Sequence, residues 1–442
     1  MTSFFIKSIQ LLFSISILIF FHELGHFFLA KLFKVRVERF FLFFDPWFSL
    51  FKKKIGDTIY GIGWLPFGGY VKISGMVNNE KKDKLITENT CKFYSQTSIR
   101  RLLIISGGII FNAILSILIF TFLLFKYGEI NIPIENAKYG IETDALGKEI
   151  GLKNGDVILS INGKKIKYFN EIPQEIFIGN IIIVNRMGKI MKLYLNNSKK
   201  SLIFDRKYTT LPIKPRIPSV ISYIFKNSIA EKYKLKIDDE ILSVDTGEIL
   251  FYDQIKEALF RQRNETFLIS INRDGDFMQK KIHMNSKGIL GVCLKTFMDL
   301  DDIFFFERKH YSIFDSIYHG FMKTWYVLKN QILFFKNVFH IETKAYKQVG
   351  SFFSIAKEFP SKWNWEIFWN FTATLSIWLA FINLFPIPSL DGGYIFFIII
   401  EMLIGKKLNE KFIERCTILG FLLVSFMMLS IIIWDIFKVF IY

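Results

Sequence analysis

Cysteine is scarce in this chain: Cys91, Cys293 and Cys416 are the only three among 442 residues. They lie far apart and none stands in a CxxC pair, which excludes a disulfide framework and a thiolate metal site. No small-x-small cleavage site follows the first apolar run. KLFKVRVERF comes next instead, so the run reads as a retained helix and not as a cleaved leader with Lys7 as its basic region. Dense basic clusters of the kind that grip nucleic acid are missing too. The net charge is +17, but lysine and arginine are dispersed among abundant Ile, Phe, Asn and Tyr. A compositional bias explains that charge, and nucleic acid is not an expected partner.

Apolar length is what the chain has in quantity. Hydrophobic residues make up 51% of it, and long apolar runs fall at 8–30, 102–125, 371–404 and 417–437. The expected fold is a polytopic α-helical membrane protein with four transmembrane segments. Residues 31–101 carry fourteen Lys/Arg, and the 405–416 loop carries Lys406, Lys407, Lys411 and Arg415. By the positive-inside rule both segments face the cytoplasm. The N-terminus, the long 126–370 insert and the C-terminus then lie on the opposite side.

One apolar run contains charge. The segment 8–30 reads SIQLLFSISILIFFHELGHFFLA, long enough at about 1.5 Å per residue to cross a layer of about 30 Å. A single charge at its centre costs roughly 2.5–3.5 kcal/mol, so His22, Glu23 and His26 need a compensating partner. On a helix His22 and His26 share a face and can reach one metal ion, while Glu23 is placed to take the proton of a water activated there. The pattern fits a zinc hydrolase whose reaction centre lies below the membrane surface.

Downstream, 55–76 (IGDTIYGIGWLPFGGYVKISGM) has short β-prone stretches broken by glycines and Pro66, which predicts a hairpin or small sheet at or in the membrane. Residues 77–100 are polar and read as a loop. Gly107, Gly108 and Asn112 in the second span read as helix-packing residues, with Asn112 in need of a hydrogen-bond partner.

The insert holds an internal repeat. LKNGDVILSING (152–163) recurs as LKIDDEILSVDTG (235–247), offset by 83 residues, which fits two copies of a compact β-rich domain. Each continues into strand-like runs split by a Gly turn, at 178–195 and 267–284. Both copies resemble PDZ domains. The second departs from the signature, with Asp238 at a glycine position and Lys234 before the leucine. Residues 312–339 form a basic amphipathic helix, either on the membrane surface or packed on the β-rich copies.

Near the C-terminus, FWNFTATLSIWLAFINLFPIPSLDGGYIFFIIIEML (368–403) must break at Pro386 and Pro388. Irregular backbone at that depth survives only inside protein or beside a water-filled cavity. Asp391 follows the break directly. It could serve as N-cap of the next helix, but with HELGH in the same membrane the third zinc ligand is the favoured reading, leaving a fourth position open.

HELGH, the two PDZ-like copies and NLFPIPSLDGG together resemble the site-2 protease family of intramembrane metalloproteases, and most closely its RseP-like bacterial branch. The resemblance implies Zn2+ as cofactor, with His22, His26 and Asp391 as ligands and Glu23 as general base. It also implies substrate contacts from Asn383, Pro386 and Pro388, and from a β-loop containing Gly68, Gly69, Tyr70 and Val71. GGIIFN (107–112) is similar to a family GP-x-x-N motif without its proline, so only Asn112 carries over. The expected organisation is 1–125 (two spans and β-loop), 126–210 and 211–297 (PDZ-like copies), 298–367 (amphipathic connecting helices) and 368–442 (the last two spans). Expected partners are the lipid bilayer, transmembrane protein or peptide substrates and, at the PDZ-like copies, C-terminal peptides, unless those copies act as a size filter. The expected location is the bacterial inner membrane, with the PDZ-like copies on the periplasmic side. The alternative function is a non-catalytic membrane PDZ scaffold.

Overall fold

The computed structural model describes residues 2–76, 92–203, 213–245, 247, 251–340, 342, 345, 350 and 352–441. Cys91 and most of the expected 77–100 loop lie outside them. The chain divides into two compact units: 1–128 with 310–336 and 349–442, and 129–309 with 337–348.

The first unit is built on helices α1 (Thr2–Leu32) and α2 (Ser98–Tyr127). Among the described residues, three helical stretches are long and apolar enough to cross a membrane: Phe4–Leu32, Ser98–Tyr127 and Lys411–Asp435. Where α1 meets α2, glycine backbones touch. A Cβ on Gly25 would stand 2.1 Å from the Gly107 carbonyl oxygen, and one on Gly107 would stand 2.6 Å from that of Gly25. Lipid offers helices no hydrophobic drive to associate, so such close approach is what the contact rests on.

After α2 and the second unit, α3 (Ile313–Val338) returns to the first. Its expected place was the membrane surface or the β-rich copies. Instead it lies along α2: Ser316, Gly320, Thr324 and Gln331 are its buried residues, and Thr324 Oγ1 is 3.3 Å from Ser116 Oγ. Small residues at 316, 320 and 324, one every four, suit close helix packing, while Phe314, Phe321 and Trp325 stay exposed on the outer side. The short α4 (Phe352–Glu358) covers the start of α1, where Leu11 packs with Ala356, Phe359 and Phe368.

The expected span at 371–404 is two helices, α5 (Trp365–Asn383) and α6 (Asp391–Ile404). Pro386 and Pro388 fall in the gap, where neither can donate a helix hydrogen bond. α5 is fixed to α1 and α2 by polar contacts: Thr372 Oγ1 donates to Ser14 Oγ, and Ser376 Oγ donates to the Asn112 carbonyl. α6 is tied to α2 by a buried ion pair, Arg101 Nη2 to Glu401 Oε2 at 2.7 Å. The last helix, α7 (Glu410–Ile441), approaches the gap at Gly420, where a Cβ would lie 3.0 Å from the Ser389 nitrogen.

Between α1 and α2 the chain forms strands β1 (Val37–Ile55) and β2 (Thr58–Ile73). Each is used twice. Phe40 pairs with both Tyr60 and Val71, Leu42 with both Ile62 and Gly69, and Phe51 with Ile62. The result is a small antiparallel sheet whose segments run in the order 49–55, 58–63, 37–44, 65–73. A sheet was expected over 55–76; the whole of β1 before it was not.

The second unit contains the two copies of the repeat. In the first, β3 (Val157–Ile161), β4 (Ile181–Arg186) and β5 (Lys189–Tyr194) form a sheet with Lys164–Lys165 on the outer side of β3. In the second, β6 (Glu240–Val244), β7 (Thr266–Arg273) and β8 (Asp276–His283) pair in sequence order. Each copy has its own core, with repeat positions Leu152 and Ile158 in one and Leu235 and Ile241 in the other. The same lock recurs: Asp156 pairs with Arg186 at 2.7 Å and accepts from the Lys153 N–H, as Asp239 does with Arg273 at 2.6 Å and the Lys236 N–H. The departures of the second copy keep the backbone of the first. Asp238 (φ 70) stands where Gly155 (φ 87) does, and Lys234 (φ 54) where Gly151 (φ 105) does. Aspartate tolerates this left-handed region; lysine pays roughly 1–2 kcal/mol for it.

Candidate metal centre

α1 places His22 and His26 one turn apart, and their Nε2 atoms are 3.3 Å from each other. Asp391 Oδ2 lies 3.4 Å from the first and 3.3 Å from the second. Three potential donors therefore form a nearly equilateral triangle. A tetrahedral zinc bound at about 2.05 Å has donors about 3.3 Å apart, so the set fits that ion with one position left over. Oδ2 is buried and takes no well-aligned hydrogen bond, the state of an oxygen waiting for a cation. Among the described residues this is the one cluster of His, Cys, Asp and Glu close enough to hold a metal.

Local sequence explains how Asp391 gets there. Leu390 occupies the N-cap position, and Asp391 is the first residue inside α6. The capping alternative is therefore not what its side chain does. The segment 384–390 wraps over the start of α6 so tightly that a Cβ on Gly392 would lie 2.3 Å from the Phe385 oxygen, and one on Gly393 2.3 Å from that of Ile387. Those carbonyls were released by the proline break, and only glycine lets them fold over the helix end.

α2 forms the floor beneath the histidines. His26 Nδ1 is 3.0 Å from the Ile104 carbonyl oxygen. A Cβ on Gly108 would stand 2.4 Å from His22 Cε1 and 2.7 Å from His26 Nε2. The expected packing role of the glycine pair is met at Gly107, whereas Gly108 makes room for the imidazoles themselves. Asn112, expected as a packing residue, is fully buried, and its side-chain amide is 3.3 Å from His22 Nδ1.

Glu23 faces the sheet. Its carboxylate lies near the Val71 N–H, and a Cβ on Gly69 would lie 3.3 Å from Glu23 Cγ. The edge segment 65–73 thus runs directly beside the cluster. Within it the side chain of Tyr70 is committed to the sheet: its ring stacks on Phe41 at 5.3 Å, and its hydroxyl donates to Asp45 Oδ1. Gly68, at φ +125, sits over the Phe44 ring. What this edge offers a ligand is backbone. Asn383 ends α5 and is buried, with Pro386 and Pro388 in the gap between it and Asp391.

Ile104 was not anticipated as part of this site, nor were Gly25 and the Arg101–Glu401 pair as the contacts that hold α1 and α6 against α2. For Gly25 a signal existed, since the G of HELGH lies on a helix that also had to meet Gly107. Ile104 contributes a carbonyl, which any residue supplies, so no residue type could have marked it.

Residues 10–427 match the family model described as Peptidase family M50. A putative zinc metalloprotease of Borreliella burgdorferi is 30% identical over 410 residues, covering 90% of each chain. The regulator of sigma E protease of Haemophilus influenzae is 26% identical, covering 92% of this chain and 93% of its own. A putative zinc metalloprotease of Clostridium perfringens is 25% identical, with 96% and 97% covered. With a donor triangle sized for zinc beside a glutamate, and a family match over nearly its whole length, the chain belongs to peptidase family M50, the site-2 proteases, and is a membrane zinc metalloprotease.

Proposed function

We propose that the protein hydrolyses peptide bonds in or near transmembrane segments of single-pass membrane proteins, as in regulated intramembrane proteolysis of anti-sigma factors or clearance of signal-peptide remnants. In this reading His22, His26 and Asp391 are the zinc ligands and Glu23 is the general base. The observation that carries it is the 3.3–3.4 Å triangle of donors next to Glu23 on an apolar helix.

When bound, zinc supplies Lewis acidity and lowers the pKa of water to about 7. Glu23, held beside the edge segment at Gly69 and Val71, takes the proton of the attacking water and passes it to the leaving amine, a contribution of roughly 10²–10⁴ in rate. A transmembrane helix hides its peptide groups, so the substrate must unwind first. Edge segment 65–73, with Gly68, Gly69, Tyr70 and Val71, offers strand pairing that replaces the lost hydrogen bonds and holds the chain extended. Asn383, Pro386 and Pro388, in and before the gap that leads to Asp391, contact the substrate. α5 and α6 together make a broken crossing, giving four in all, in the bacterial inner membrane. The β-rich copies are PDZ-like domains on the periplasmic side, where they receive C-terminal peptides or exclude bulky substrates.

Glu23→Gln tests the assignment. Purified variant should retain stoichiometric zinc and fail to cut a single-pass membrane substrate that the parent cuts. Turnover at the parental rate would remove Glu23 from the mechanism.

A further inference from the structure

We propose that Asn112 is a positioning residue that sets the tautomer of His22, with its side-chain oxygen, not its nitrogen, turned toward His22 Nδ1. The inference rests on the metal reading given above and adds a residue to it.

Both imidazoles turn Nε2 toward Asp391 Oδ2. A neutral imidazole that offers Nε2 to a cation carries its proton on Nδ1, and that proton needs an acceptor. For His26 the acceptor is beyond dispute, because the Ile104 carbonyl 3.0 Å from Nδ1 can only accept. His22 has a different neighbour. Its Nδ1 is 3.3 Å from Asn112 Nδ2, while Asn112 Oδ1 is buried without a partner. A nitrogen in that place sets donor against donor, or drives the His22 proton onto Nε2, where the lone pair is needed.

The two ends of a carboxamide have the same shape, and half a turn about the terminal bond exchanges them. As placed, Asn112 Oδ1 is left unpaired, so the end facing His22 decides between them. Oxygen there gives His22 the kind of acceptor that Ile104 gives His26. The rest of Asn112 is fixed: the residue is fully buried, and its own carbonyl accepts from Ser376 Oγ on α5 at 2.7 Å. It lies one turn beyond Gly108, whose carbonyl also flanks His22. That second acceptor makes the effect of losing Asn112 partial.

The test compares zinc affinity, by chelator competition on the purified full chain, with the visible spectrum of the Co2+-substituted protein. Asn112→Asp keeps size and an acceptor and removes the donor. Asn112→Leu keeps size and removes the acceptor; Asn112→Ala, which adds no bulk, is the second acceptor-free variant should leucine prevent folding. Asn112→Asp should hold zinc at least as tightly as the parent and give the parental cobalt spectrum. The acceptor-free variants should lose about 10-fold, at the lower end of the 10–100-fold range for such partners, with an altered cobalt spectrum. Parental affinity in the leucine or alanine variant overturns the inference, and so does an aspartate variant as weak as leucine. A parent protein that binds no zinc would instead overturn the metal reading on which it stands.

Discussion

Gly108→Ala is the smallest change with a large expected consequence. The new methyl carbon would lie 2.4 Å from His22 Cε1, 2.5 Å from His22 Nδ1 and 2.7 Å from His26 Nε2, against an ordinary contact of 3.4 Å or more. Both rings must therefore retreat by up to about 1 Å, or α1 and α2 must separate. Separation is opposed because the helices already touch through Gly25 and Gly107, and moving them apart forfeits that packing. Overpacking of this kind costs typically 1–3 kcal/mol. The donor triangle suffers more than the fold, since a retreat of about 1 Å is large beside a zinc–nitrogen bond of about 2.0–2.1 Å, and a misplacement of that size in an active site can cost about 10²-fold in rate. Zinc content after dialysis against a chelator, read beside the thermal melting of the metal-free protein, separates the two effects. We expect a modest drop in melting temperature and a severe loss of zinc retention and of cleavage. Parental zinc affinity and rate in Gly108→Ala would refute the reasoning, because the floor of the site would then have slack that the geometry denies it.

Two further outcomes follow from the buried charges. Glu401→Gln leaves Arg101 without its carboxylate in a site where both side chains are almost fully buried, and should destabilise by about 3–5 kcal/mol; the paired change Arg101→Met with Glu401→Met should recover most of that loss in the same melting assay. In the second β-rich copy, burial opposes ionisation of Asp239, but the Arg273 guanidinium and the Lys236 N–H outweigh it and hold the carboxyl below the usual carboxylate range. Its folded pKa is thus lower than its unfolded one, so its stabilising contribution is full above about pH 4 and is lost as pH falls through the folded value. Hydrogen exchange in β7 and β8 should show protection declining in that acid window, and Asp239→Asn should flatten the decline; an unchanged pH profile in the variant would assign it to other groups.

The sequence by itself determined the chemistry and the class of fold. Histidines and a glutamate inside an apolar run are too costly to be incidental, and the spacing of His22 and His26 already put them on one face. Proline arithmetic broke the 371–404 run, and the repeat at 152–163 and 235–247 announced two like β bodies before either was seen, because a repeated core and turn need repeated residues. Strand β1 was not legible. Its phenylalanines fall in runs that blur the two-residue alternation, and its pairing partners on both sides come from β2. α3 was legible as a helix but not in its place, since a stripe of Ser316, Gly320 and Thr324 finds its meaning only against Ser116 and Thr121 of α2. Asp391 was already the favoured third donor from the sequence, but only the tertiary structure brought it, 365 residues after His26 in the chain, within 3.4 Å of both imidazoles and put Ile104, Gly108 and Asn112 beneath them. Periodicity along a sequence reports which face a residue takes on its own element. The distance between elements depends on backbones that touch, and that is settled by the packing of one helix on another.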